Sequence, residues 1–319
     1  LLFAFGGSNH KGSAPVHIVS CLTDVLKPSA VAIGNFDGVH LGHQEVLRPI
    51  IGSSQGIRTI LTFYPHPQEV LTGESRLLLT PQAERILILD HLGIEQVIQL
   101  PFTPELSRHS PQQFIDQILD QGLQVRQLSV GSDFRFAYQR TGTAEDLLTW
   151  GKKQGIYVDL ISDTLWQGER ISSSRIRLAL QQGKVELAQA LLGRPYRLWG
   201  EVVAGDQRGR QLGFPTANLM LPVDKYLPCD GVYSAWVRLL PEITYYPAVL
   251  NIGIRPTVAG KQRTVEVHLL NWEGDLYGQS LEVNLVHFIR PEQKFASLTD
   301  LISQIQKDCD VACSQLLFV

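Results

Sequence analysis

Apolar and polar positions change rhythm once along the chain. From residue 30 to about 192, short apolar runs alternate with stretches of helical period. The runs 30–36, 59–63, 96–100, 127–130 and 157–161 predict strands. The stretches 42–51, 81–91, 111–121, 144–154, 172–181 and 185–192 predict helices, with Ser110 and Pro111 as a capping start. Strand and helix in alternation imply a parallel sheet covered on both faces, an α/β architecture.

From Tyr196 onward the period falls to two, as in Val265-Glu266-Val267-His268-Leu269. Runs at 232–239, 247–251, 264–270 and 280–288 predict short antiparallel strands, closed into a small barrel or stacked as a sandwich. A last helix is expected over 297–309, capped by Ser297. The change falls at Gly193-Arg194-Pro195, so the expected domains are 16–192 and 193–319. Residues 1–15 read as a loose arm or an appended remnant. They lack the basic start and apolar core of a secretion signal.

Composition narrows the classes. The 319 residues are 44% hydrophobic and 18% charged, enough for two ordinary cores. A net charge of −3 offers no basic field for a nucleic acid. No apolar run approaches the roughly 20 residues of a membrane span. Cys21, Cys229, Cys309 and Cys313 are scattered, without a C-x-x-C pair, so neither zinc nor a disulfide framework is expected. A reducing, cytoplasmic compartment follows from that cysteine usage.

Candidate chemistry begins at Gly34-Asn35-Phe36-Asp37-Gly38-Val39-His40-Leu41-Gly42-His43. A buried strand is expected to end at Phe36 and a helix to open near Gly42. Such a turn aims backbone N–H groups and a positive helix end at one spot, which suits a phosphate. His40 and His43 share a face of the first turn and can stabilise charge on a phosphoryl group. Ser172, Ser173 and Ser174 precede another helix, with Arg177 one turn in, within reach of phosphates. Read alone, that serine run is a helix cap. His66 stands between two prolines after a strand, either as part of a structural turn or presented to a ligand. Asp133 and Phe134 follow a strand at the end where open sheets bind ligands.

In the second half, Gly209-Arg210-Gln211-Leu212-Gly213-Phe214-Pro215-Thr216-Ala217-Asn218 combines glycines that allow close approach with a stiffening proline. Thr216 and Asn218, two apart, present oxygens to one side if extended, a set that suits Mg²⁺. Glu266 lies on a strand among apolar neighbours. Facing a closed site, it can accept a proton. His268 and His287 read as structural, and Trp199, Trp236 and Trp272 as packing residues.

The first string resembles the H-x-G-H motif of nucleotidyltransferases. In its longer form it is similar to that of prokaryotic bifunctional riboflavin kinase/FMN adenylyltransferases. Thr62-Phe63-Tyr64-Pro65-His66-Pro67, Val130-Gly131-Ser132-Asp133-Phe134-Arg135-Phe136 and Ile171-Ser172-Ser173-Ser174-Arg175-Ile176-Arg177 resemble further segments of that family, in order. The glycine string resembles the G-F-P-T-A-N signature of riboflavin kinases, and Asn251-Ile252-Gly253-Ile254-Arg255-Pro256-Thr257 their N-I-G-x-R-P-T loop. Thr264–Leu269 resembles the strand with their catalytic glutamate, and Phe288-Ile289-Arg290 a later motif.

The resemblance spans residues 30–312. It implies a Rossmann-like nucleotidyltransferase domain followed by a six-stranded antiparallel riboflavin kinase barrel with a terminal helix. It implies catalysis by Glu266, His40 and His43, and flavin contacts at His66, Asp133, Phe134, Asn251 and Arg290. Nucleotide contacts are implied at Gly34, Asn35, Phe36, Asp37, Gly38, Ser172, Ser173, Ser174, Arg177, Gly209, Arg210, Gly213, Phe214 and Pro215, with Mg²⁺ on Thr216 and Asn218. Riboflavin and ATP would give FMN; FMN and a second ATP would give FAD. The expected partners are these small molecules, with no nucleic acid and no membrane.

The chain departs from the pattern at Ser132, Ala137, Ala204, Cys229-Asp230 and Pro291. Two other readings stay open: a flavin-binding module that has lost turnover, and an adenylyltransferase for another phosphate ester. Intact Thr216, Asn218 and Glu266 disfavour the first, and the kinase-like strings the second.

Overall fold

The computed structural model describes residues 15–205, 209, 212–257 and 260–316. Residues 1–14 of the expected arm, and Arg210, lie outside them. The chain divides into two compact units that part between Ser173 and Ser174.

Among the described residues the main sheet of the first unit holds six strands, β1 (His17–Val19), β2 (Ser29–Ile33), β3 (Ile57–Tyr64), β4 (Gln96–Pro101), β5 (Val125–Gly131) and β6 (Tyr157–Ile161). They form one sheet in the order β1-β4-β3-β2-β5-β6, every pairing parallel. All five residues of β2 are buried, because both faces are covered. Val31 and Ile33 join a cluster with Phe114, Ile118, Leu119 and Leu147. Ala30 and Ala32 point the other way, onto Leu47, Ile50 and Leu89. Helices α1 (Leu41–Ile51), α2 (Pro67–Thr72), α3 (Gln82–His91), α4 (Pro104–Ser107), α5 (Pro111–Gln113, continuing through Phe114–Gly122) and α6 (Ala144–Gln154) follow the strands. Strand order reverses at β2, with β3 on one side and β5 on the other. An open sheet binds ligands in the crevice at that switch point.

Strand β2 stops at Ile33, three residues short of the sequence expectation. Phe36 has φ 50°, outside the extended range, and its ring is fully buried. Hydrophobicity at that position therefore marks core packing beneath a turn and not continuation of the strand.

The second unit begins with α7 (Ser173–Gln181, from its second residue) and α8 (Val185–Leu192). Strands β7 (Tyr196–Val203), β8 (Ala217–Met220), β9 (Gly231–Leu239), β10 (Tyr245–Thr257), β11 (Gly260–Leu269) and β12 (Ser280–Arg290) close into a barrel in the order β7-β8-β11-β10-β9-β12. Every pairing is antiparallel. The period of two sorts each strand. Ser234 Oγ donates to Gln315 Oε1, and Val232 packs on Cys309 and Ala312, so these residues face the terminal helix α9 (Leu298–Leu316). Tyr233, Ala235 and Val237 alternate with them and fill the interior, each fully buried.

Helix α9 runs to Leu316, past the expected end at residue 309. Its buried stripe of Cys309, Ala312 and Leu316 continues the helical spacing along the barrel wall. Ser297 caps it, accepting from the Asp300 N–H at 3.1 Å. Elsewhere on the wall Glu282, 3% exposed, contacts Arg238 Nη2 at 2.6 Å and Arg197 Nη2 at 3.4 Å. The Tyr245 hydroxyl and Asn284 Nδ2 also donate to it, at 2.9 and 3.0 Å.

Candidate active sites

Residues 34–40 carry the chain from β2 into α1. Phe36, Gly38 and Val39 all have positive φ, at 50°, 88° and 39°. Only glycine adopts this region at little cost. Full burial of Phe36 and Val39 offsets strain of about 1–3 kcal/mol at each. Buried Thr80 clamps the turn at two points. Its hydroxyl accepts from the Gly38 N–H at 2.9 Å, and its own N–H donates to Asp37 Oδ1 at 3.1 Å. Ser173 Oγ donates to the Asp37 carbonyl at 2.8 Å.

His40 is the N-cap of α1. Its Nδ1 accepts from the His43 N–H at 3.2 Å, which puts the ring proton of the neutral imidazole on Nε2. The two imidazoles stack with centroids 3.6 Å apart and planes 13° apart, and Phe36 tilts against His43 at 5.2 Å. Both rings therefore sit at the positive end of an 11-residue helix. Gly34 N–H bonds back to the Leu61 carbonyl at 3.2 Å, and the Asn35 carbonyl accepts from Arg85 at 3.2 Å.

His66 caps α2 through Nδ1, which accepts from the Gln68 N–H at 3.1 Å. Its Nε2 lies 2.9 Å from the Asn35 side-chain amide. The structure thus joins His66 to the 34–43 turn. Asp133 pairs with Arg170 at 2.7 Å, and Arg170 reaches Asp163 at 3.1 Å. Phe134 stacks on Phe136 with centroids 5.9 Å apart. Ala137, at a position where the family pattern has glycine, has φ 64° and ψ −169°. Ser172 and Ser173 close the first unit; Ser174 and Arg177 belong to the second.

The barrel site is set by strand register. Asn218 is opposite Glu266, which is opposite Asn251, which is opposite Val232, which is opposite Arg290. Directly opposed residues of antiparallel strands share a face. Five neighbouring strands therefore present one transverse row on the barrel's outer wall. Thr216, just before β8, has Oγ1 3.5 Å from Glu266 Oε2. The approach to it is a tight loop in which the Gly209 carbonyl accepts from Leu212 and Phe214 N–H at 3.1 and 2.9 Å, with Gly213 at φ 86°. His268 Nδ1 is 2.8 Å from the Pro215 carbonyl, fixing the loop to β11.

A cavity of about 330 Å³ lies between this row and α9, with Glu266, Asn251, Arg290, Val249, Leu301 and Ile305 in its lining. A second, of about 470 Å³, is lined by Pro215, Ala217, Trp272, Asp275, Leu276 and Tyr277. Thr216 lines both. Arg290 is held by Asp308 of α9 through Nε at 2.9 Å and Nη2 at 2.6 Å, while Nη1 donates to the Pro291 carbonyl at 3.1 Å. Gln304 Nε2 also bonds Asp308, at 2.9 Å.

Sequence reading missed Thr80 and Asp308. Thr80 is far along the chain from the turn it clamps and carries no local signal. Asp308 shows one trace: it is a carboxylate on the stripe of α9 that is otherwise apolar, and it is 3% exposed.

These features describe a phosphate-type strand-to-helix turn in one unit and a barrel with a carboxylate-lined cavity in the other. Residues 22–175 match the FAD synthetase family model, and residues 192–316 match the riboflavin kinase model. A bifunctional riboflavin kinase/FMN adenylyltransferase of Haemophilus influenzae is 39% identical over 293 residues, covering 90% of this chain and 94% of that one. Its Bacillus subtilis counterpart is 39% identical over 290 residues, covering 88% and 90%. A solved Streptococcus pneumoniae structure, named a macrolide-efflux protein, superposes with a TM-score of 0.83 at 30% identity, covering 94% of this chain and 99% of that one. Among the described residues no helix is long and apolar enough to cross a membrane. The chain belongs to the bifunctional riboflavin kinase/FMN adenylyltransferase family, with both enzyme domains present.

Proposed function

We propose that the family's two reactions are divided between the two sites, with riboflavin phosphorylated on the barrel and FMN adenylylated at the 34–43 turn. The observation that carries the barrel assignment is the row Asn218–Glu266–Asn251 beside Thr216, where the two cavities meet. The cavity against α9 has apolar walls for a flavin ring and polar ends at Asn251 and Arg290. Glu266 accepts the proton of the riboflavin 5′-hydroxyl as that oxygen attacks the γ-phosphoryl group. ATP occupies the neighbouring cavity, its phosphates against the loop of Gly209, Gly213, Phe214 and Pro215.

The donors here fit Mg²⁺ in kind: Thr216 Oγ1 and Glu266 Oε2 are neighbours, and Asn218, paired opposite Glu266, carries a further hard oxygen. Thr216 and Asn218 would hold the ion, which when bound neutralises phosphate charge.

In the first unit, His40 and His43 stabilise charge on the α-phosphoryl group of a second ATP as FMN attacks it. The Gly34 and Gly38 N–H groups are engaged by Leu61 and Thr80 and shape the turn; the turn between them and the hydroxyls of Ser172 and Ser173 contribute donors. His66, Asp133 and Phe134 contact the flavin. We place the domain limit near Gly193. The free thiols of Cys21, Cys229, Cys309 and Cys313 support a reducing, cytoplasmic setting.

The test is incubation of the full chain with riboflavin, MgATP and inorganic pyrophosphatase, resolving FMN, FAD, ADP and phosphate. FMN with matching ADP, followed by FAD with pyrophosphate-derived phosphate, is expected. FMN without FAD overturns the adenylyl assignment. Flavin binding without either product overturns both.

A further inference from the structure

Asp308 is a carboxylate on the otherwise apolar stripe of α9, it lines the cavity of the barrel unit, and the proton transfer proposed for Glu266 does not use it. Burying a carboxylate is costly unless hydrogen bonds hold it. Here they come from two sides. Arg290 Nε donates to Oδ1 at 2.9 Å and to Oδ2 at 3.1 Å, and Nη2 donates to Oδ2 at 2.6 Å. Gln304, one turn earlier on the helix, donates to Oδ1 at 2.9 Å. The helix itself is anchored at this level, because Cys309 and Ala312 share a cluster with Val232, Val249 and Leu270 of the barrel. A carboxylate that grips Nε and Nη2 together fixes the plane of a guanidinium as well as its place.

Arg290 is restrained further. Its Nη1 donates to the Pro291 carbonyl, and its guanidinium carbon lies 5.8 Å from the centroid of the Phe295 ring, within the range of cation–π attraction. A guanidinium has five N–H donors. Among the described residues these contacts engage the Nε donor and one on each terminal nitrogen, which leaves one on each for a ligand of the cavity that Arg290 lines. The pair of Arg290 and Asp308 carries no net charge. It therefore offers hydrogen-bond donors without a strong field, which suits an uncharged ring with carbonyl acceptors such as a flavin.

We infer that Asp308 is a positioning residue for riboflavin phosphorylation, holding Arg290 in the orientation that captures the flavin. The inference rests on the flavin contact proposed above for Arg290. A freely rotating arginine loses rotamer entropy each time it grips a ligand; one already clamped by a carboxylate loses less. The effect belongs in riboflavin capture. ATP use and proton transfer depend on Thr216, Asn218 and Glu266, which Asp308 does not hold.

The experiment compares full-length Asp308→Asn, Arg290→Ala and the double variant with the unmodified chain. Initial rates of riboflavin phosphorylation, counted as FMN plus FAD, are taken across riboflavin and ATP concentrations. Asp308→Asn is expected to raise the KM for riboflavin by about 10- to 100-fold, the scale of one charge-assisted hydrogen bond. Its kcat and its KM for ATP should hold, the pattern of lost substrate binding. Because Asp308 acts through Arg290, the double variant should be no worse than Arg290→Ala alone. If Arg290→Ala is impaired while Asp308→Asn matches the unmodified chain, the inference is wrong and the reading of Arg290 stands. If Arg290→Ala keeps its KM for riboflavin, the reading and the inference fall together. Losses that add in the double variant, or a fall in kcat with both KM values disturbed, make Asp308 a structural residue and overturn the inference. Should Asp308→Asn fold poorly, Gln304→Leu loosens the same carboxylate from a half-buried position. A rise of about 2- to 5-fold in the riboflavin KM alone then supports the inference, and an unchanged KM overturns it.

Discussion

Asn218 and Glu266 stand directly opposite each other across the pairing of β8 with β11, so both side chains leave the barrel on its outer face. The proposed metal-holding and proton-accepting roles thereby fall on adjacent strands, with Thr216 Oγ1 3.5 Å from the Glu266 carboxylate.

The two roles separate on mutation. Glu266→Gln keeps the shape and removes the proton acceptor, so FMN formation should fall about 10²–10⁴-fold while MgADP still binds. Thr216→Ala or Asn218→Ala should weaken MgADP binding instead. Calorimetry beside separate FMN and FAD assays distinguishes them. Near-normal kinase turnover in Glu266→Gln would refute the general-base role.

The stacked histidines should likewise fail differently. His40→Ala and His43→Ala should each lower FAD formation by about 10²–10³-fold, with FMN formation retained. Only His40 caps α1. His40→Ala should therefore also lose about 1 kcal/mol of stability, and His40→Asn should recover it. Denaturant unfolding of the three variants, run beside the assays, checks both halves; equal stability of the two alanine variants contradicts the cap.

Ala137 occupies a backbone region natural to glycine. Ala137→Gly should stabilise the first unit by about 1 kcal/mol, and calorimetric unfolding should show its transition at higher temperature. An unchanged or lowered transition would show that the alanine is accommodated without strain.

Acid should act through Glu282. Burial pushes its carboxyl up, but Arg197, Asn284 and Arg238 pull it down further, leaving it below the ordinary carboxylate value. A depressed folded value means the stabilisation is complete above the unfolded value, roughly pH 4.3, and is lost as pH falls through the folded one. Unfolding curves between about pH 5 and 2 should be steeper for the unmodified chain than for Glu282→Gln. Parallel curves would remove Glu282 from the acid transition.

The domain limit can be tested by length. A fragment from 193 to 319 should phosphorylate riboflavin and make no FAD. It lacks the Glu186–His287 contact at 2.7 Å and the bond from Cys229 to Leu180, so it should melt below a fragment starting at Ser174. A fragment from 193 that is folded but inactive as a kinase would count against an autonomous barrel.

Much of this architecture was legible because strand periods of two and helical periods are written locally, as in Val265–Leu269 and residues 144–154. Periodicity alone does not decide a closed barrel from a sandwich, since closure depends on which strands meet; the family resemblance supplied the six-stranded barrel that the structure shows. The same holds for the row from Asn218 to Arg290: each residue could be named from its motif, but only register places them on one face. Phe36 misled because buried strand and buried turn are equally apolar. The ties from Thr80 to Asp37 and from Asp308 to Arg290 were invisible because they join distant parts of the chain.

The bond between Arg290 and Asp308 also orders events in time. During synthesis β12 leaves the ribosome before α9, and the barrel can pair its strands while the helix is still unmade. Arg290 then has no carboxylate to hold it, and the cavity has no outer wall. On the proposed assignment flavin affinity should therefore arise late, when the terminal helix docks, so a nascent barrel on the ribosome presents Glu266 before it can retain riboflavin.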